Sequence, residues 1–127
     1  MGELMPSVDS REIFRTQSLE LVAARFRVLS EPMRLRILHE LKVEELNVGE
    51  LVSKLKCSQP SVSKHLKVLL ESGIVSRRPV GTSAYYRIAE PVIFQLCDLM
   101  CSSLEIQLRE KARTAQTLLD NGVLALG

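Results

Sequence analysis

At 127 residues the chain holds enough material for one domain with a real core, and 46% hydrophobic with 25% charged residues is an ordinary globular balance. No apolar run is long enough to cross a bilayer, and the N-terminus, with Glu3, Pro6 and Asp9, lacks the basic and apolar regions of a signal peptide. A cytoplasmic protein, made of one domain over residues 1–127 without repeats or low-complexity linkers, is the expectation.

Residues 1–9 read as a flexible tail. Ser10 is placed to cap a helix running through Ile13, Phe14, Leu21, Val22, Phe26 and Leu29. Pro32 opens a second helix, with Leu35, Ile37, Leu38 and Leu41 apolar. Val48, Leu51, Val52 and Leu55 follow the spacing of one buried helical face, and only Lys56 and Cys57 separate them from the next cap. That cap is Ser58, whose hydroxyl can accept from the free amide of Ser61, while Pro60 falls in the first turn, where no amide hydrogen is missed. With Leu66 as reference and about 100° per residue, Val62, Leu69, Leu70 and Gly73 share its face. Ser61, Lys64, Val68 and Glu71 point away, and His65 and Lys67 lie on the flanks. Gly73 supplies the left-handed residue that ends a helix.

A ribbon pattern follows: a strand over 74–78, a glycine-containing turn over 79–83 and a return strand over 84–88. After Glu90-Pro91 comes the longest helical pattern, residues 91–119, with Ile93, Leu96, Leu99, Met100, Leu104 and Leu108 on a broad apolar face. A helix this apolar at the end of a small domain is most simply covered by a twin chain, the alternative being that it wraps the chain's own core.

Two helices joined by a turn of three or four residues, 48–73, form a helix-turn-helix, whose second helix suits a major groove. The charge agrees. Residues 54–87 carry seven cations (Lys54, Lys56, Lys64, Lys67, Arg77, Arg78, Arg87) against Glu71 alone, a balance of +6 in a chain whose net charge is +2. A basic segment in an otherwise acidic chain is a footprint for phosphates.

Leu29-Ser30-Glu31-Pro32-Met33-Arg34-Leu35-Arg36-Ile37-Leu38, Val48-Gly49-Glu50-Leu51, Ser58 to Gly73 and Tyr86-Arg87-Ile88 resemble the ArsR/SmtB family of winged-helix transcriptional regulators, over roughly residues 20–105. The resemblance implies a mainly α (α+β) winged helix-turn-helix in the order α-α-α-α-β-β-α. Residues 74–88 would be its wing, and its first and last helices a dimer interface. It also implies a homodimer on a partly palindromic double-stranded operator, usually a repressor released by an inducer, and no enzyme.

By role, Ser58, Gln59, Ser61, Ser63, Lys64 and His65 stand near the start or outer side of the second helix, within reach of base edges. Ser63 lies only about 60° from the core stripe, and His65 reads equally as a packed or hydrogen-bonded flank residue. Lys67, Arg77 and Arg78 suit phosphates, and Thr82 and Ser83 at the wing tip, beside Tyr85, suit the backbone or minor groove.

The inducer is less legible. The Cys-x-Cys pair that arsenite- or cadmium-sensing members carry before the recognition helix is absent from Glu50-Leu51-Val52-Ser53-Lys54-Leu55. The aspartate and histidine ligands of zinc-sensing last helices are absent too, since the two histidines are His39 and His65. Cys97 and Cys101 stand one helical turn apart, with Cβ atoms about 5–6 Å from each other, and two soft thiolates suit part of the shell of arsenite or another thiophilic metal ion. Cys57 reads as structural or merely reactive, and any of the three thiols equally suits a small buried hydrophobe. Three readings follow: a repressor released by a thiophilic ion or thiol oxidation at Cys97 and Cys101, the same repressor without a small inducer, constitutive or controlled by a protein partner, and a winged-helix dimerisation module that leaves DNA alone.

Overall fold

The computed structural model describes residues 10–122. The expected tail over 1–9 lies outside them. After Glu90 the chain divides into two compact units.

The first unit opens with α1 (Ser10–Leu29) and α2 (Pro32–Val43). Ser10, expected as a cap, is already helical. Glu31 caps α2, its carboxylate facing the Met33 amide at 3.5 Å, and Pro32 sits where the helix needs no amide hydrogen. Leu46–Asn47 form a short strand, β1, before α3 (Val48–Leu55). Asn47 also begins that helix: its side chain accepts from the Glu50 amide at 2.8 Å, and its own amide donates to the Glu50 carboxylate at 3.1 Å. This reciprocal box satisfies two orphan donors at once. Lys56 ends α3 in the left-handed conformation, φ +55°, donating its amide to the Val52 carbonyl.

Helix α4 (Gln59–Glu71) starts as its sequence requires, with the Ser61 amide donating to Ser58 Oγ at 3.3 Å. It closes at Gly73, φ +77°. The strands β2 (Val75–Val80) and β3 (Ser83–Ile88) form the hairpin. Its loop is tighter than the expected 79–83: Val80 pairs with Ser83, leaving Gly81-Thr82 as the two-residue turn. Gly81 has φ +61° and Thr82 is not in the positive region, the pattern of a type II′ turn that matches strand twist. Pro79 reads as a turn residue in sequence, yet it pairs with Ala84 inside β2. The sheet order β1-β3-β2 makes β2 an edge, where a missing amide hydrogen is tolerated.

The helices close over one face of this sheet. Ile37, Leu38 and Leu41 of α2, Leu51 and Leu55 of α3, and Val62, Leu66 and Leu69 of α4 are buried together with Leu46, Ile74, Val75 and Ala84. β1 escapes sequence reading because two residues carry no alternation; what makes it a strand is Leu46, fully buried opposite Tyr86. Helix α1 contributes only Leu29 to the buried set and leaves Ile13, Phe14, Leu19, Leu21, Val22 and Phe26 exposed. The ion pair of Arg25 with Glu90, 2.5 Å, ties α1 to the end of the unit.

The second unit is α5 (Val92–Asp120), 29 residues long. Ile93 is buried, whereas Leu96, Leu99, Met100, Leu104, Ile106 and Leu108 are exposed. No described helix is long and apolar enough to cross a membrane.

Candidate nucleic-acid interface

Burial sorts the residues of α4 by role. Val62, Leu66 and Leu69 anchor it, each no more than 1% exposed. Gln59, Pro60, Ser63, Lys64, Lys67 and Glu71 are exposed, while Ser61, His65 and Val68 are half-buried. The open face is therefore centred on Lys64 and Lys67 and includes Ser63, rotated toward the Lys67 flank from where helical arithmetic alone places it.

The rotation has a cause in α2. Arg34 donates from Nε to the Val28 carbonyl at 2.6 Å, and its Nη1 lies 3.4 Å from His65 Nδ1. His65 thus faces the body of the domain, and its flank is partly covered. Arg34 holds the end of α1 and the flank of α4 from one side chain. Arg34→Ala should lower stability by about 1–3 kcal/mol, the cost of orphaning a partly buried acceptor, with urea unfolding as the measurement. A second arginine of α2, Arg36, donates to the Leu55 carbonyl at 3.0 Å and so braces the turn of the helix-turn-helix. The Cys57 thiol in that turn donates to the same carbonyl at 3.3 Å and lies 3.8 Å from Met33 Sδ.

The ribbon divides its arginines by strand alternation. Arg78 pairs with Tyr85, Ser76 with Arg87 and Asn47 with Tyr85. Ser76, Arg78, Tyr85, Arg87 and Asn47 therefore share the outer face, and Arg77, opposite Tyr86, belongs to the other. Arg87 Nε donates to Ser76 Oγ at 3.2 Å. Arg78 lies over the Tyr85 ring, 5.4 Å from its centroid, and donates from Nη2 to Glu45 at 2.6 Å. That hydrogen bond holds the Glu45 carboxyl below the usual carboxylate range, with the Arg78 and Arg87 charges acting in the same direction against desolvation. Thr82 and Ser83 are exposed at the tip.

Two anions just before the basic segment change its electrostatics. Glu45 pairs with Arg78, and Glu44 lies 3.9 Å from Lys54. Counted from residue 44 to 87, seven cations face four anions (Glu44, Glu45, Glu50, Glu71), a balance of +3 rather than +6. Lys64, Lys67 and Arg77 are exposed, and together with the polar start of α4 they form an open basic surface.

In α5, Cys97 is half-buried and Cys101 exposed, both as free thiols. Burial pushes the Cys97 thiol up, and the neighbouring Cys101 and Asp98 add to the shift. Among the described residues no three His, Cys, Asp or Glu side chains cluster as a metal site would require. A zinc site takes four protein donors when structural, or three with one open position when catalytic, so one chain's pair of thiols falls short of it.

Sequence reasoning overlooks Asn47 and Glu45. The first is legible as Asn-x-x-Glu before an apolar run. Nothing local marks the second, since its partner is 33 residues away.

A capped helix set outward after a tight turn, followed by a two-stranded ribbon on a three-stranded sheet, defines a winged helix-turn-helix, a DNA-binding class of protein. Residues 31–77 match the family described as bacterial regulatory protein, arsR family. The chain is 38% identical over 79 residues to the biofilm growth-associated repressor of Agrobacterium fabrum, covering 62% of this chain and 68% of that protein. It is also similar to the crystal structure of Rv0081 of Mycobacterium tuberculosis, with TM-score 0.67, 33% identity and 74% and 95% of the two chains covered. A third likeness is to the homodimeric winged helix-turn-helix DNA-binding domain Mb0332 of Mycobacterium bovis, with TM-score 0.69, 26% identity and 84% and 95% coverage. Matches of this kind span about two thirds of the curated relatives' length, 68% and 64% for the first two. The chain belongs to the ArsR family of bacterial regulatory proteins, transcriptional regulators that bind DNA and are not enzymes.

Proposed function

We propose that this chain is a homodimeric transcriptional repressor that places the open face of α4 in the major groove of an operator. The observation that carries the reading is the exposed row Ser63, Lys64 and Lys67 on a helix whose opposite side is fully buried. In this reading Ser58, Gln59, Ser61, Ser63 and Lys64 approach base edges from the helix start. Lys67 and Arg77 grip phosphates, joined by Arg78 once it is released from Glu45. Thr82, Ser83 and Tyr85 meet the backbone or minor groove from the wing. His65 serves chiefly to orient the helix through Arg34.

Two copies are needed because one α4 reads one half-site. The exposed apolar residues of α1 and α5, led by Phe14 at 71% and Leu99 at 71%, suit the contact between copies. The homodimeric state of the Mb0332 domain supports this, and the repressor role follows the Agrobacterium relative. The test is a gel-shift salt series with a duplex enriched from a random pool, alongside sedimentation of wild type and Phe14→Glu/Leu99→Glu. Salt-sensitive binding and a dimer that the variant cannot form are the expected results; salt-independent binding and a wild-type monomer would sink the reading.

Release from DNA has two versions. In the first, a thiophilic ion such as arsenite, or thiol oxidation, acts at Cys97 and Cys101, with a further donor for an ion supplied by the twin copy or solvent. In the second there is no small inducer, and the repressor is constitutive or controlled by a protein partner. Cys97→Ser/Cys101→Ser separates them: arsenite, cadmium, zinc or oxidant must displace wild type but not the variant under the first, and neither under the second.

A further inference from the structure

His65 has two ring nitrogens, and only one of them is turned to the domain. Nδ1 faces Arg34 Nη1 at 3.4 Å, and the guanidinium is held in place by its Nε, which donates to the Val28 carbonyl at 2.6 Å. Arginine carries donors only, so the nitrogen that faces it is the acceptor. A neutral imidazole has one ring proton, which is therefore on Nε2. Nε2 has no partner among the described residues, and no buried side-chain nitrogen among them lacks one, so Nε2 is open to solvent. A donor of fixed identity thus stands on the edge of the ring turned away from Arg34.

Its place on α4 says what that donor can meet. At about 100° per residue, His65 and Lys67 lie on either side of Leu66, and so on opposite flanks of the open face. A helix in a major groove turns its outer face to base edges and its flanks to the two walls, which are phosphate. Lys67 is exposed on one flank, while the other carries Ser61, His65 and Val68, all half-buried. His65 is the longest polar side chain of that second flank.

We propose that His65 is the phosphate contact of the groove wall opposite Lys67, donating from Nε2 as a neutral imidazole, with Arg34 as its positioning residue. The inference rests on the DNA-binding reading above and gives His65 a contact of its own beside its orienting role. Arg34 fixes both the ring and its tautomer: flipping the ring gives up the Nδ1 contact, and a proton on Nδ1 would face the guanidinium cation. The bond to phosphate is charge-assisted, yet it adds little counterion release, because the ring brings no net charge.

The experiment compares wild type, His65→Asn and His65→Gln. The asparagine amide takes the place of Nδ1 and can still accept from Arg34, but it stops short of Nε2; the glutamine amide reaches that place and keeps a donor there. Long-range proton–nitrogen spectra of wild type, with His65 told from His39 by the signals lost in His65→Asn, should show the proton on Nε2 and a bare Nδ1. Saturating duplex should shift the Nε2 signal and leave the ring neutral. Fluorescence anisotropy over a salt series, at about pH 8 where an ordinary imidazole is neutral, uses two duplexes of roughly 30 base pairs, long enough for two half-sites one helical turn apart. One has random sequence and the other is enriched from a random pool by the wild-type protein. His65→Asn should weaken binding to both by about ten-fold for each protomer engaged, with the salt slope and the urea midpoint unchanged, and His65→Gln should recover most of the loss. A proton on Nδ1, an Nε2 signal that duplex leaves in place, full affinity in His65→Asn, or a loss confined to one duplex would each overturn the proposal. So would a slope flatter by about 0.9 for each protomer in His65→Asn, the mark of a charged ring in wild type. Failure of wild type to bind either duplex would overturn the DNA-binding reading itself, and this contact with it, whatever tautomer the free protein shows.

Discussion

Leu66→Ala should cost about 2–5 kcal/mol, a large part of the stability of a small domain. Leu66 is 1% exposed and sits between Val62 and Leu69, both fully buried, on the anchored side of α4. Truncation leaves a cavity on the side by which α4 packs against α2, α3 and β2, and a helix flanked by buried neighbours has little room to collapse into it. For a domain of this size the melting temperature should fall by roughly 10–30 °C, followed by circular dichroism. DNA binding should fail at temperatures where wild type still binds, because the exposed row proposed to enter the groove loses its platform. A shift of only a degree or two would show that α4 is not anchored through this residue.

Lys64→Ala/Lys67→Ala should do the reverse, leaving the fold intact and removing the grip. Both side chains are exposed, and neither has a hydrogen bond or ion pair among the described residues. Stability should therefore stay within about 0.5 kcal/mol of wild type. Removing Lys67 from a phosphate should flatten the dependence of log affinity on log salt by about 0.9 for each protomer. Affinity near 0.1 M salt should drop by about one to two orders of magnitude, more on the enriched duplex than on random sequence, because Lys64 is lost from a base edge as well as Lys67 from a phosphate. An equal loss on all sequences would move Lys64 from base edges to phosphates.

The contrast between these variants follows from one helix with two sides, and most of that is legible in the sequence. Ser58, Pro60 and Gly73 bound α4 by local rules: a hydroxyl for an orphan amide, a ring with no amide hydrogen to lose, and a residue free to turn left-handed. Local chemistry needs no tertiary partner, so sequence reading places such ends well. Apolar spacing likewise identifies Val62, Leu66 and Leu69 as the anchor. The hairpin is legible in outline but not in register, because Pro79 signals a turn locally and only its place on an edge strand explains why it continues the ladder.

What chain order does not show is which charges meet. The basic balance of residues 54–87 is a property of a window, and windows ignore folding. Burial of Leu46 next to Tyr86 carries Glu45 to the wing, where it engages Arg78 and lowers the free charge of that face. The rotation of the open face of α4 toward Lys67 is decided in the same way, by Arg34 reaching from α2 to His65. By itself the sequence determined a capped, amphipathic helix, a ribbon behind it and an anionic partner, since these depend on spacing and composition. The tertiary structure decided which cations stand free and which are already held, because Coulomb attraction and hydrogen bonding act over a few ångströms of space, whatever the distance along the chain.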